Sequence, residues 1–315
     1  LIFISFLILI SFNLYVINNN GIKNRLPETF QRDLKPKKVN FHLKDVNLHQ
    51  KDNAQKIVLI GDSHSDALEF SLNEKIKKKD LSFIRFRTQM YLTDFNYVRR
   101  KTKKIDENFI KRNIKIDNFL KENSNLIVVF HYRWTINLLE TNFDNEEGYR
   151  EPSDLECNSD LECDSYLEPI NIKTSSLKER QQYIKEGLIS QINKIIKQGH
   201  KLVLVYPVPE VGVEPYRYLF KKYILNKNVF KNSIPVFSGS YEVYKKRNKL
   251  IFEILDSIKN ENIYRVYPHS YFCDKQIKNR CVINDKNNIF YYDDDHLSIE
   301  GSKFVVDGII KEIEK

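Results

Sequence analysis

The sequence predicts an α/β fold in three layers, with helices on both faces of a parallel sheet of about five strands. Short apolar runs rich in β-branched residues, such as 57–60 and 202–206, are typical of buried parallel strands. Longer segments with apolar residues three or four positions apart, such as 66–79 and 299–313, lie between such runs and indicate amphipathic helices. The alternation of the two patterns predicts a parallel sheet covered by helices.

The predicted elements follow one another through residues 56–315, which we interpret as one domain. The predicted strands are 57–60, 81–86, 126–130, 202–206 and 263–267. The predicted helices are 66–79, 107–121, 176–198, 248–259 and 299–313. Residues 135–175 fit no element; because they are acidic and contain two cysteines, we interpret them as an insertion.

The sequence before this domain predicts a membrane helix and a tether. Residues 1–17 are almost purely apolar, although a bilayer span usually needs ~20 residues. A signal peptide is the alternative, but it would need a basic n-region and a small-residue cleavage site, and neither is visible. Residues 18–55 are polar and are interpreted as an extracytoplasmic tether.

Cysteine usage favours an oxidising compartment. The four cysteines form two local pairs, Cys157 with Cys163 and Cys273 with Cys281, and short loops of this kind suit disulfides. A zinc site of four cysteines is the alternative, but the spacing within each pair is wider than usual for zinc ligands. Basic residues within 23–38 would favour a cytoplasmic location by the positive-inside rule. We give the cysteines more weight.

The positive charge of the chain does not indicate a nucleic-acid binder. The formal net charge is +9, but the lysines are scattered along helical faces and loops. A basic stripe with interleaved aromatic residues, which single-stranded nucleic acids require, is not present. We therefore interpret the basic residues as solvated surface.

Two segments supply the three groups of a Ser-His-Asp site. Gly61-Asp62-Ser63 ends the first strand and leads into a helix, whereas Asp293 and His296 lie just before the last helix. In such sheets, sites form beyond the carboxyl ends of the strands, where both segments are expected. We predict Ser63 as the nucleophile, His296 as the general base hydrogen-bonded to it, and Asp293 as the acid that orients His296.

Other roles for neighbouring residues remain open. Asp62 is expected to cap the helix that follows it. His64 could compete as the base, but a surface or capping role is favoured, because adjacent side chains on a turn point apart. Asp294 is the fallback for the orienting acid. The run 293–295 could instead bind a metal, but no second acidic cluster is visible, and we predict no metal and no cofactor.

These motifs resemble the SGNH (GDSL-like) hydrolase superfamily. More closely, the chain resembles the extracytoplasmic SGNH domain that follows the last membrane helix of bacterial acyltransferase-three proteins. The resemblance covers the whole chain and includes the apolar start, Val58-Leu-Ile-Gly-Asp-Ser-His-Ser65, Val128-Val-Phe-His-Tyr-Arg-Trp134, the pair Cys273 and Cys281, and Tyr292-Asp-Asp-Asp-His-Leu-Ser298.

The resemblance implies a flavodoxin-like fold and assigns Ser63, Asp293 and His296 to a catalytic triad. Superfamily members usually add a Gly and an Asn to the oxyanion hole. In this chain the third sequence block of the superfamily corresponds to His131-Tyr-Arg-Trp134. It carries Arg133 and Trp134 in place of the Asn, as the fused domains commonly do, and these two are expected to contact the oxyanion or the substrate. The missing Gly and Asn leave the oxyanion hole incomplete.

The resemblance also implies a function and a location. The family transfers acyl groups to lipopolysaccharide or peptidoglycan sugars, so we expect a cell-surface glycan acceptor and an acyl donor supplied by a membrane acyltransferase domain. The domain is expected in the periplasm or outside the cell, attached to the inner membrane. A carbohydrate esterase, or a catalytically weak module that binds glycan or supports the membrane enzyme, are the alternatives.

Overall fold

The computed structural model describes residues 2–18, 46–49, 54–79, 81–151, 165–225 and 235–315. Six strands form the central sheet. In spatial order they are β1 (Val46–His49), β3 (Leu81–Arg87), β2 (Gln55–Gly61), β5 (Ile127–His131), β7 (Lys201–Val205) and β9 (Ile263–Val266). All neighbours pair in parallel except β1, which runs antiparallel to β3 at the edge. The five parallel strands therefore confirm the predicted sheet, and their order is the flavodoxin-like one.

Helices cover both faces of this sheet. In chain order, the helices of the described residues are α1 (Ile2–Asn18), α2 (Ser63–Ile76), α3 (Glu107–Glu122), α4 (Trp134–Leu139), α5 (Leu177–Lys197), α6 (Pro215–Leu225), α7 (Tyr241–Ser257), α8 (His269–Phe272) and α9 (Ile299–Ile313). Successive residues of a strand point to opposite faces. Val58 and Ile60 of β2 accordingly pack with α3, α5 and α7, whereas Ile57 and Leu59 pack with α2 and α9.

Three regions differ from the sequence interpretation. The predicted tether contains β1, so the sheet begins before residue 56. The predicted insertion contains α4 and a strand, β6 (Ser165–Pro169), which pairs antiparallel with β4 (Phe95–Arg99). Helix α7 begins seven residues earlier than predicted because Ser240 caps it, accepting a hydrogen bond from the Val243 N–H.

The first residues form a helix, as the sequence predicts. Most of its described side chains are apolar and exposed; Ile8, for example, is 63% exposed. Within the described ranges, no helix is long and apolar enough to cross a membrane.

One of the two predicted disulfides is confirmed. Cys273 and Cys281 are bonded, next to a small antiparallel pair formed by β8 (Ser238–Ser240) and β10 (Arg280–Val282). Cys157 and Cys163 lie outside the described residues, so their pairing stays a prediction.

Candidate active site

The turn between β2 and α2 needs glycine at position 61. Strands β2 and β5 are adjacent, and a Cβ added to Gly61 would lie 1.9 Å from the carbonyl oxygen of His131. A second obstacle is the Ser65 Cβ, 2.5 Å away. Because a backbone atom cannot yield as a flexible side chain can, only glycine lets the chain enter α2 here.

Asp62 caps α2, as predicted, and also joins two segments of the site. Its Oδ1 accepts a hydrogen bond of 3.0 Å from the His64 N–H. Its Oδ2 accepts one of 2.8 Å from the Arg133 N–H, at the end of the loop that follows β5. The Asp62 carboxylate therefore links the turn at Ser63 to the segment 131–134.

Ser63 is the first residue of α2 and lies at the carboxyl end of β2. Its exposed fraction is 7%, and its Oγ is buried with no hydrogen-bond partner among the described residues. The N–H groups of a first helical turn have no acceptor within the helix. Ser63 therefore offers a hydroxyl that has no hydrogen-bond partner among the described residues, and a backbone N–H that can donate to a negatively charged group.

His296 lies in a turn stabilised by Asp293, whose Oδ1 accepts hydrogen bonds from the backbone N–H groups of Asp295 and His296. The same carboxylate lies 2.9 Å from His296 Nδ1, as the predicted triad requires. Nε2, the other ring nitrogen, is buried without a partner in the described structure. The predicted hydrogen bond from Ser63 Oγ to this nitrogen is therefore not made here, and such bonds often close only when substrate is bound.

Asp295 is a second carboxylate at the imidazole, which the sequence analysis missed. Its Oδ1 lies 2.7 Å from His296 Nδ1, and the side chain is almost fully buried. The sequence analysis named Asp294 as the fallback acid, but no contact between Asp294 and His296 is found in the described residues. Asp293, Asp295 and His296 all lie in the bend at 292–296, so the adjacency of Asp295 to His296 was the available signal.

His64 is a buried member of the site, which corrects its interpretation as a surface or capping residue. Its exposed fraction is 3%, and its Nε2 lies 3.2 Å from Asp295 Oδ2. Its ring centroid is 4.9 Å from that of His296. Because His64 directly follows Ser63, this contact brings the serine turn and the histidine turn to the same edge of the sheet.

Arg133 binds carboxylates in this structure. Its guanidinium is 2.6 Å from Glu151, 2.6 Å from Glu210 and 3.1 Å from Asp295. The side chain is only 7% exposed. The guanidinium is held by protein acids in this structure, and its expected contact with an oxyanion or substrate stays a prediction.

Trp134 belongs to the core, which corrects the expectation that it contacts substrate. It is fully buried, and its indole N–H donates a hydrogen bond of 2.8 Å to the carbonyl oxygen of Val205. Its ring packs edge-on against Tyr132 at 4.8 Å. Burial of this large side chain fixes the start of α4 and hence the position of Arg133.

The charges at this edge shift each other's protonation. Burial alone would raise the pKa of Asp295, but Arg133 and His296 outweigh it and hold the pKa of that carboxyl well below its usual range. Burial alone would lower the pKa of His296, but Asp295 and Asp293 raise it well above the usual value. Only neutral His296 can act as a base, so the raised pKa shifts that form towards higher pH.

His131 and Asp294 are two further titratable groups at this edge. Burial lowers the pKa of His131 to about 3, so this histidine, 5.8 Å from His64 between ring centroids, is neutral. Burial raises the pKa of Asp294 to about 7.

The acidic run has the proximity that metal binding needs. Ligand atoms of Asp293, Asp294 and Asp295 lie within 4.8 Å of one another, as do those of His64, Asp295 and His296. Asp295 is shared by both groups, and the Arg133 guanidinium already supplies a cation to it. The prediction that the site uses no metal stays a prediction.

Comparison with known proteins gives the same fold. A family model described as "SGNH domain (fused to AT3 domains)" matches residues 31–311. The periplasmic domain of a lipopolysaccharide acetyltransferase from Salmonella ser. Paratyphi A is similar, with a TM-score of 0.53 and 17% identity over 84% of this chain and 85% of that chain. A GDSL-like lipase from Bacteroides thetaiotaomicron aligns over 84% of this chain and 91% of that chain, with a TM-score of 0.41 and 10% identity. No curated protein sequence matches the chain.

Proposed function

This chain belongs to the family of SGNH domains that are fused to AT3 domains, and on that premise we propose that it transfers an acyl group, such as acetyl, through Ser63 to or from hydroxyl groups of a cell-surface glycan. Ser63 is the nucleophile and His296 the general base and acid. Asp293, with Asp295 beside it, positions the imidazole.

One observation carries this proposal. Ser63 Oγ and His296 Nε2 are both buried and both without a hydrogen-bond partner among the described residues. Buried polar atoms are nearly always paired, so these two, one on each predicted motif, need an explanation. A nucleophile and its base supply one, because their partners are the substrate and the proton that passes between them.

The reaction would proceed in two steps. The neutral Nε2 of His296 takes the Ser63 proton while Oγ forms a bond to the acyl carbon, and the carbonyl oxygen becomes an oxyanion. As the bond to the leaving oxygen breaks, His296 returns the proton to that oxygen. A sugar hydroxyl or water then attacks the acyl–serine, again with His296 accepting and returning one proton.

The donors for the oxyanion would be backbone groups. The Ser63 N–H, in the first turn of α2, is the candidate, because a helix N-terminus favours negative charge. Glu151, Glu210 and Asp295 hold the Arg133 guanidinium in this structure, so we do not assign it as a second donor. Loss of one oxyanion donor typically costs about 10²–10³ in rate, so we expect slow hydrolysis of simple esters.

This shortage of donors favours a second candidate function. A domain with a weak oxyanion hole could bind glycan or support a membrane acyltransferase without itself carrying the acyl group. The two candidates differ in whether Ser63 is needed.

We place the domain outside the cytoplasm, in the periplasm, with the acyl donor supplied by a membrane acyltransferase domain of the AT3 type. The disulfide between Cys273 and Cys281 supports an oxidising compartment. The fusion that characterises the family supports the membrane partner.

Substitution of Ser63 tests the proposal. We expect Ser63→Ala to reduce hydrolysis of p-nitrophenyl acetate to the background rate and to remove the acyl–enzyme adduct detected by mass spectrometry. Ser71→Ala is the matched control, since it makes the same change on the same helix at a hydroxyl paired with Ser302. If Ser63→Ala keeps glycan O-acylation in cells while deletion of 56–315 abolishes it, the domain acts by binding and the catalytic proposal is wrong.

A further inference from the structure

A second region of the molecule has the composition of a ligand site. Strands β4 and β6 form an antiparallel pair outside the central sheet. One face of the pair is buried in the core, through Phe95, Tyr97 and Leu167. The alternate residues, including Tyr166 and Glu168, point the other way and form the floor of an open cleft.

This β4–β6 cleft has a volume of about 610 Å³, within the range of about 300–1,000 Å³ typical of ligand pockets. Its walls come from the turn at 100–105, the turn at 170–174 and the start of α5. It shares no lining residue with the site at Ser63, and it contains none of the residues that the sequence analysis selected.

Two arginines in the cleft are fixed in place. Arg100 Nη2 lies 2.7 Å from Glu140 Oε2, and Arg180 Nε lies 2.7 Å from Glu140 Oε1. Glu140 is only 6% exposed, so one buried carboxylate holds both guanidinium groups against the ring of Tyr166. Burial would raise the pKa of Glu140, but the two arginines lower it, so this acid stays ionised and the arrangement persists.

Two lysines add charge that no described carboxylate neutralises. Lys103 and Lys173 are exposed, and no described carboxylate lies within ion-pair distance of either. Lys103 has a left-handed backbone, with φ of 55°, and its Nζ lies 5.6 Å from the Tyr166 ring centroid.

The remaining lining is mixed, as a sugar requires. Ile105 and Ile172 offer apolar surface and are 47% and 41% exposed. Asn96, Asn171 and Thr174 offer amide and hydroxyl groups. Among the described lining residues the one carboxylate is that of Glu168, which already accepts hydrogen bonds from the N–H and hydroxyl of Thr174. The described lining therefore presents an excess of cations beside apolar and amide groups.

We propose that the β4–β6 cleft binds a glycan segment that carries carboxylate or phosphate groups, and so selects an acidic acceptor for the reaction at Ser63. The substrate class rests on the proposed function; the binding site itself does not. Lys103 and Lys173 contact the acidic groups, and the Tyr166 region contacts the sugar rings. A lipid chain is disfavoured, because the cleft is open and half polar and offers no enclosed apolar channel.

Binding of a defined acidic oligosaccharide tests this proposal. We would titrate the whole chain with hexameric oligogalacturonate, with uncharged maltohexaose and with phosphatidylglycerol vesicles, using calorimetry or fluorescence. We expect binding of oligogalacturonate only. The double variant Lys103→Glu/Lys173→Glu should weaken it at least ~10-fold, because attraction becomes repulsion. Hydrolysis of p-nitrophenyl acetate should not change.

A control variant separates a site from general charge. Lys259→Glu/Lys278→Glu makes the same change at two other exposed lysines and should leave oligogalacturonate binding intact. Equal losses in both double variants would overturn the proposal, as would equal binding of maltohexaose. Binding of vesicles but not of oligogalacturonate would assign the cleft to a membrane surface instead.

The two proposals fail separately. If Ser63→Ala leaves ester hydrolysis intact but the cleft variants lose oligogalacturonate, the proposed function is wrong and the cleft stands as a glycan site. If Ser63→Ala abolishes hydrolysis but the chain does not bind oligogalacturonate, the cleft proposal alone is wrong.

Discussion

The site at Ser63 and the β4–β6 cleft both depend on arginine and carboxylate groups, but they differ in burial. At the site, Arg133 is 7% exposed and its guanidinium is bound by three carboxylates. In the cleft, Lys103 and Lys173 face solvent without a described carboxylate partner. A buried, paired charge can only position its neighbours, whereas an exposed, unpaired one remains free to bind a ligand.

The largest expected effect concerns the two carboxylates at His296. Asp293 and Asp295 both reach Nδ1, so each should partly replace the other. We expect Asp293→Asn and Asp295→Asn each to lower kcat/KM for p-nitrophenyl acetate about 10-fold, and the double variant to lower it about 10³–10⁴-fold, as when a triad acid is lost. The cleft variant Glu168→Gln is the control and should have no effect. If Asp293→Asn alone equals the double variant, Asp295 does not support the imidazole.

The second effect is on the free energy of unfolding, which substitutions at the Ser63 site and in the β4–β6 cleft should change to different extents. Arg133→Met removes the cation that Glu151, Glu210 and Asp295 share, although Glu210 keeps its contact with Arg247. Breaking a buried ion pair typically costs about 3–5 kcal/mol. Lys103→Met, at an exposed position, should change the free energy of unfolding by less than about 0.5 kcal/mol. Urea unfolding followed by circular dichroism measures both. Similar midpoints for Arg133→Met and the unchanged chain would show that the buried network contributes nothing to stability.

The same difference in burial explains what the sequence could predict. The five parallel strands are buried on both faces, so they read as apolar runs, and Ser63 and His296 lie in short motifs at the ends of elements. Strands β4 and β6 expose one face and carry polar residues such as Asn96 and Glu168, so no apolar run marked them. The cleft that they form could not be predicted for the same reason.

Within the site, contacts between distant segments were the ones missed. Arg133 meets Glu210, 77 residues away, and His64 meets Asp295, 231 residues away. No local pattern encodes such pairs, because packing of the whole sheet edge creates them. The resemblance assigned Arg133 to the substrate, whereas in this structure carboxylates surround it.

The third effect is on the pH dependence of hydrolysis. Only neutral His296 can accept the Ser63 proton, and Asp295 and Asp293 raise its pKa above the usual value of about 6.5. The rate should therefore rise with pH through a midpoint above 6.5. Asp295→Asn removes a negative charge, destabilises the imidazolium and should move the midpoint about one unit towards acid. A midpoint that does not move would show that Asp295 does not control the protonation of His296.

Added salt should affect the Ser63 site and the β4–β6 cleft differently. The site charges are buried, so added sodium chloride should leave the pH midpoint almost unchanged, whereas the exposed cleft lysines should lose oligogalacturonate affinity as screening increases. A midpoint that shifts with salt as strongly as the affinity would mean that the two regions are equally accessible to ions.

The smallest expected effect is that of metal removal. Asp293, Asp294 and Asp295 lie close enough together to hold a cation, and Asp295 also faces His64 and His296. A divalent ion bound through Asp295 would have to compete with the Arg133 guanidinium, 3.1 Å from its Oδ2, and would repel the imidazolium that His296 forms during acyl transfer. We therefore expect treatment with EDTA, followed by removal of the chelator, to leave hydrolysis of p-nitrophenyl acetate unchanged. Loss of activity that is restored by added zinc or calcium would instead show that residues 293–295 bind a metal on which the activity depends.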